Sequence, residues 1–135
     1  IQTDKISVTS AEFQAMDATG GAGTFRLLAN SPGSGYGFQI LSATVVAQYV
    51  SATESSNNNL YLGYVSNTSS AYWGVAGRFM SGKSSDTTFT LKENTSTSPA
   101  LLASIDDKPL VLYSNGNFNG DFTADVYITY QVIQL

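Results

Sequence analysis

Three glycines, Gly33, Gly35 and Gly37, stand at alternate positions ahead of an apolar run in NSPGSGYGFQILSATV, residues 30–45. Such spacing raises phosphate binding, because a glycine-rich turn that opens a helix aims backbone N–H groups at an anion. The dinucleotide pattern G-x-G-x-x-G needs its third glycine where Phe38 stands, and no Gly-Lys-Ser/Thr comes after it. The next residues, FQILSATVV, include several β-branched side chains and read as strand. The spacing therefore predicts a turn at Pro32-Gly33, with later glycines that let the backbone enter a sheet edge close to a neighbour.

Residues 115–121, NGNFNGD, reproduce half of a calcium loop. Asn115, Asn117, Asn119 and Gly120 fit D-x-[DN]-x-[DN]-G, but the first ligand is Asn, and Val126 stands where a bidentate Glu would close the site. With strands on both flanks, a hairpin turn and no structural metal are expected. The acidic clusters are Asp106-Asp107 and the pair Asp121/Asp125. Glycoside hydrolysis needs two carboxylates facing each other across a cleft, whereas adjacent aspartates ahead of KPL suit a polar turn. No catalytic residue is assigned to either cluster. Tyr72-Trp73, set among small residues in NTSSAYWGVAG, can stack on a sugar ring or anchor a protein contact. The reading preferred is that one ring packs in the core while the other covers a sheet edge.

Composition narrows the chemistry further. The 135 residues contain no cysteine and no histidine, which excludes disulfides, thiolate metal sites and every Ser-His or Cys-His catalytic pair. Ten acidic and six basic residues give a net charge of −4, so no electrostatic footprint for nucleic acid exists. No apolar run of about 18 residues is present to cross a membrane as a helix, and no basic n-region followed by an apolar h-region is visible in these residues. The first residue is Ile, and the native polypeptide is expected to begin upstream of it. No cofactor is expected. Polarity resides in Ser, Thr, Asn, Gly and Gln, a balance that suits strands, turns and surfaces that pack against copies of themselves without repulsion.

The elements that would position these residues are mostly strands. One short helix is expected at VTSAEFQAM: Thr9 and Glu12 have capping-box spacing, Val8 and Phe13 fall at the two positions of a hydrophobic staple, and Gly20-Gly21 should end it. Strands are expected around Ile6–Val8, in TFRLLA with Phe25 and Leu27 alternating, from Phe38 to Val50, and in LYLGYV, AYWGVAGRFM, TTFTLK and PLVLYS. In the last strand Phe122, Ala124, Val126, Ile128, Tyr130 and Val132 occupy every second position. Its other face carries Tyr127 and Ile133 among polar residues, a mixture that suits a subunit contact. Turns fall in SATESSNNN, SGKSSD, ENTSTSP and SNGNFNGD. The fold expected is all-β: one domain over residues 1–135, a jelly-roll sandwich of about eight antiparallel strands with one short N-terminal helix.

A chain that opens VTSAEFQAM, passes through ANSPGSGYGFQILSATVVAQY and closes DDKPLVLYSNGNFNGDFTADVYITYQVIQL resembles small virion structural proteins of tailed bacteriophages, of the capsid-decoration or head-fibre type. The resemblance covers about residues 5–50 and 101–135, and its motifs are turns and core positions, which carry no functional residues across. It implies a tumour-necrosis-factor-like jelly roll assembled as a homotrimer. It implies a non-enzymatic role on the capsid surface, with the major capsid or other virion proteins as partners and assembly in the host cytoplasm. Two alternatives are a tail-fibre tip that binds a receptor or host surface glycan, for which Tyr72 and Trp73 are the ligand candidates, and a polysaccharide hydrolase using carboxylates.

Overall fold

The computed structural model describes residues 1–17, 19, 24–64, 72–93 and 105–135. Strand β1 (Gln2–Val8) leads into helix α1 (Ser10–Ala15) through Thr9. The Thr9 Oγ1 accepts from the Glu12 N–H at 3.2 Å, and Glu12 Oε1 accepts from the Thr9 N–H at 3.0 Å, which completes the capping box. Val8 and Phe13 are both buried, as a staple requires. The helix stops earlier than the glycines suggested. Met16 is already extended, its side chain is fully buried, and Asn117 Nδ2 donates to the carbonyls of Gln14 and Met16. Those bonds satisfy end groups a helix leaves open. The Gly20-Gly21 stop and most of the ENTSTSP turn lie outside the described residues.

The remaining strands are β2 (Arg26–Ala29), β3 (Tyr36–Ala52), β4 (Leu60–Gly63), β5 (Tyr72–Ala76), β6 (Thr87–Thr90), β7 (Lys92–Glu93), β8 (Leu110–Ser114) and β9 (Asp121–Gln134). They form two antiparallel sheets, ordered β1-β9-β3-β6 and β2-β8-β4-β5-β7. With the two-residue β7 set aside as an added edge, the eight strands are dealt between the sheets in jelly-roll order. The fold is an all-β sandwich with one short helix, as the alternation and turn spacing implied.

Between the sheets lies one apolar core. Phe13, Phe79, Phe118 and Phe122 meet there with every pair of ring centroids 4.9–5.9 Å apart. Each such contact contributes about 0.5–1.5 kcal/mol beyond simple burial. The long β3–β9 pair is the spine of the four-stranded sheet. Its register slips between Ile40 and Ser42, where Leu41 is the extra residue, and this bulge moves the core face of β3 from even to odd positions.

Three strand expectations need correction. Phe25 and Leu27 do share a side of the chain, but the core residue of β2 is Leu28, the next one along; Phe25 packs on the sheet's outer side and Leu27 is exposed. AYWGVAGRFM is not one interrupted strand. It breaks after Ala76 into a turn in which Arg78 and Met80 have φ of 49° and 58°, and buried Phe79 and Met80 pin that turn to the core. On β9 the core alternation ends at Tyr130; Val132 is 52% exposed because β3 and β9 run on past the start of β1.

Candidate functional site

Both ligand-like loops are closed by carboxylates of the chain itself. In the glycine turn, Gly33 and Gly35 have φ of +105° and +87°, a region open to glycine at little cost. Their amides point at anions, as the phosphate reading required. The anions are internal: the Gly33 N–H donates to Asp107 Oδ1 at 2.9 Å, and the Gly35 N–H to Asp106 Oδ1 at 2.7 Å. The Asp107 N–H donates to the Tyr36 carbonyl at 2.9 Å, and the Leu135 N–H to that of Gly35 at 2.9 Å. The acidic pair singled out for catalysis is thus a double cap on the turn singled out for phosphate, which is the polar-turn role expected of it.

The calcium-like loop repeats this arrangement with a residue that sequence reasoning passed over. Glu54, 1% exposed, accepts from the Asn119 N–H at 2.9 Å and the Gly120 N–H at 2.8 Å through Oε1, and from Ser56 through Oε2. Around it the other asparagines also turn inward. Asn115 Oδ1 accepts from the Asn59 N–H, Asn119 bonds Ser55 through both ends of its amide, and Gln14 Nε2 donates to the Gly120 carbonyl. Side chains that a cation would need as ligands are spent on the neighbouring loop. Val126, at the closing position of the motif, is buried in the core. Among the described residues no group of three acidic side chains is arranged to hold a metal. The available signal for Glu54 was a single acid in the uncharged stretch SATESSNNN.

Asp121 and Asp125 lie on one face of β9, about 13 Å apart at strand rise, wider than either glycosidase geometry. Ser51 Oγ donates to Asp121, while Asp125 accepts from Ser7 Oγ at 2.8 Å and lies 3.8 Å from Lys5 Nζ. Tyr72 and Trp73 are parted by the strand alternation. Trp73 packs against the core, whereas Tyr72 stands on the outer side of its sheet, edge-on to Tyr61 at 4.9 Å, with Tyr113 stacked behind at 5.3 Å. The two rings therefore do not form one stacking platform. Burial, with the nearby Tyr61 and Tyr72 hydroxyls, raises the Tyr113 phenol well above its ordinary range.

Tyr127 and Ile133 share the outer face of the four-stranded sheet. Tyr127 is 39% exposed at its centre, opposite Lys5, and Ile133 is half-buried opposite Gly37. Across this face polar side chains bond one another: Thr3 with Thr129 at 3.0 Å, Ser7 with Asp125, Thr123 with Gln48 at 3.1 Å, Gln131 with Gln39 at 2.5 Å. On the inner side Tyr130 donates to Asp4 Oδ2 at 2.6 Å. That bond and one from Gln2 lower the Asp4 carboxyl, while burial and then Asp4 push the Tyr130 phenol up to about 12.

No helix among the described residues is long and apolar enough to cross a membrane. Comparison of the chain with protein-family models found no matching family, and comparisons with curated proteins and with solved structures found no match either.

Proposed function

We propose that this protein is a non-enzymatic structural component of a tailed-phage virion, a capsid decoration or head-fibre protein that works as a homotrimer. The observation that carries the reading is the outer face of the β1-β9-β3-β6 sheet. Exposed polar side chains usually bond water; here many bond one another across the strands. Removing water from such a face costs little, since its donors and acceptors keep their partners. Lys5 and Asp125 put one charge of each sign on it, 3.8 Å apart. Low charge with a central tyrosine is the composition of a subunit contact. The inward engagement of the glycine turn, the 115–121 loop and the aspartates also favours a scaffold over a catalyst.

A glycan-binding tip draws less support, because Tyr72 and Trp73 face opposite sides of β5. The direct test is incubation of the purified domain with virions and with empty capsids of the candidate phage, followed by sedimentation and imaging. Saturable, regularly spaced density on the shell is the expected result. Density confined to the tail tip, or release of reducing ends from host polysaccharide, would overturn it.

A further inference from the structure

We infer that the outer edge of β1, which pairs with no other strand among the described residues, is a strand-addition site that takes an extended segment of another protein. An edge strand displays unpaired backbone N–H and C=O groups, and proteins blunt such edges by shortening them, bulging them, or placing proline or charged side chains there, inward-pointing ones included. Among the described residues the other sheet edges are blunted by length: β2 and β6 have four residues each and β7 has two. β1 has seven, QTDKISV, with no proline or glycine and an unbroken register against β9. Its two charges are turned aside. Asp4 is held by Tyr130 and Gln2, and Lys5 leans back towards Asp125 and the Tyr127 ring, 6.0 Å from its centroid.

The outward groups can be assigned. The Ala43 carbonyl accepts from the Leu91 N–H on the β6 side, so the Ala43 backbone faces away from β9. In an antiparallel ladder its partner Ile128 then turns towards β1 and bonds Asp4, which leaves Thr3, Lys5 and Ser7 with outward N–H and C=O groups. A second copy is a poor occupant. With core faces matched and overlap greatest, antiparallel self-pairing sets Lys5 opposite Lys5 of the other copy, and like charges directly opposite are destabilising. The fitting partner is an extended heterologous segment with an acidic residue opposite Lys5 and β-branched residues opposite Ile6 and Val8, bound chiefly through backbone bonds. The inference holds whether or not the protein decorates a shell.

The test is amide hydrogen exchange by NMR on the intact protein. The probe is the peptide acetyl-Val-Thr-Val-Glu-Thr-Thr-Val-amide, with a second peptide N-methylated at alternate amides as control. The amides of Thr3, Lys5 and Ser7 should exchange rapidly in the free protein and slow at least tenfold with the first peptide. The N-methylated peptide, and the variant Lys5→Pro, should show no slowing. Replacing the peptide's Glu by Lys should weaken binding roughly two- to fivefold. Slow exchange at these amides without peptide, protection that rises with protein concentration alone, or slowing that survives N-methylation would each overturn the proposal. The peptide-side control keeps the test decisive even if Lys5→Pro does not fold.

Discussion

At Glu54 a buried carboxylate accepts from backbone N–H groups of the loop whose sequence resembles half a calcium loop. Backbone N–H groups of Asn119 and Gly120 donate to it, where a calcium loop presents oxygens to a cation. Glu54→Ala strands a buried Gly120 N–H and unties the 119–120 turn from the 54–56 segment, while the backbone bond from the Gly82 N–H to the carbonyl of residue 54 stays. A loss of roughly 3 kcal/mol is expected from leaving such donors unsatisfied, read by urea denaturation. Calcium or chelator should leave the melting temperature within ~4 °C, the shift that about 1 kcal/mol produces in a domain of this size. Gly120 tests the same packing from the other side. A Cβ there would lie 2.9 Å from the Glu54 backbone N and 3.1 Å from the Ala52 carbonyl, both fixed backbone. Gly120→Ala should therefore destabilise by at least about 1–3 kcal/mol, the cost of overpacking. An unchanged melting curve would show that this junction is loose.

The helix and the strands of the sandwich were legible in the sequence because their signals are local. Thr9 and Glu12 announce the helix start, and the even positions from Phe122 to Tyr130 announce the core face of β9. What escaped was set by partners distant in sequence. Leu41 is one residue in an apolar run until β9 forces a bulge opposite it, and Phe79-Met80 reads as strand until the core claims both side chains in a turn. Glu54 gives no pattern at all, since its amides lie more than sixty positions away. Tyr64, just beyond β4, joins the two sheets in the same non-local way by donating to the Phe38 carbonyl of β3 at 3.2 Å. Burial, then the Glu93 charge, pushes its phenol up to about 12 from 10.0. A raised folded value means that this contribution is complete below pH 10 and is lost as pH rises towards 12, because the unfolded chain gives up its proton first. The loss is on the order of 1.4 kcal/mol per pH unit across that window. Tyr130 adds to it in the same direction. Tyr64→Phe should flatten the alkaline fall in denaturant midpoint; an unchanged slope would assign the fall to other groups.

For the whole molecule, the decisive property of the proposed function is assembly. The two broad faces of the sandwich differ. Outside the five-stranded sheet, Tyr61, Val111 and Tyr113 are already buried, with Phe25, Tyr72 and Val75 against them. Outside the four-stranded sheet lies the cross-bonded Thr, Ser and Gln face with Tyr127 at its centre. Closed three-fold packing of that second face would bury Tyr127 and Leu41 while keeping the side-chain bonds intact. Light scattering at micromolar concentration should then give about 43 kDa, three times the 14.3 kDa chain. Tyr127→Asp places a second carboxylate two residues from Asp125 on a face that must be dry in the trimer, so the mass should fall towards one chain. The side chain points away from the core, so the circular dichroism spectrum should stay that of the folded sandwich. Ser84→Asp, in an exposed loop, adds the same charge elsewhere and should leave the trimer whole. A monomer mass for the unaltered protein counts against the trimer itself. A trimer that survives Tyr127→Asp moves the contact to another face and removes the observation on which the structural role was proposed.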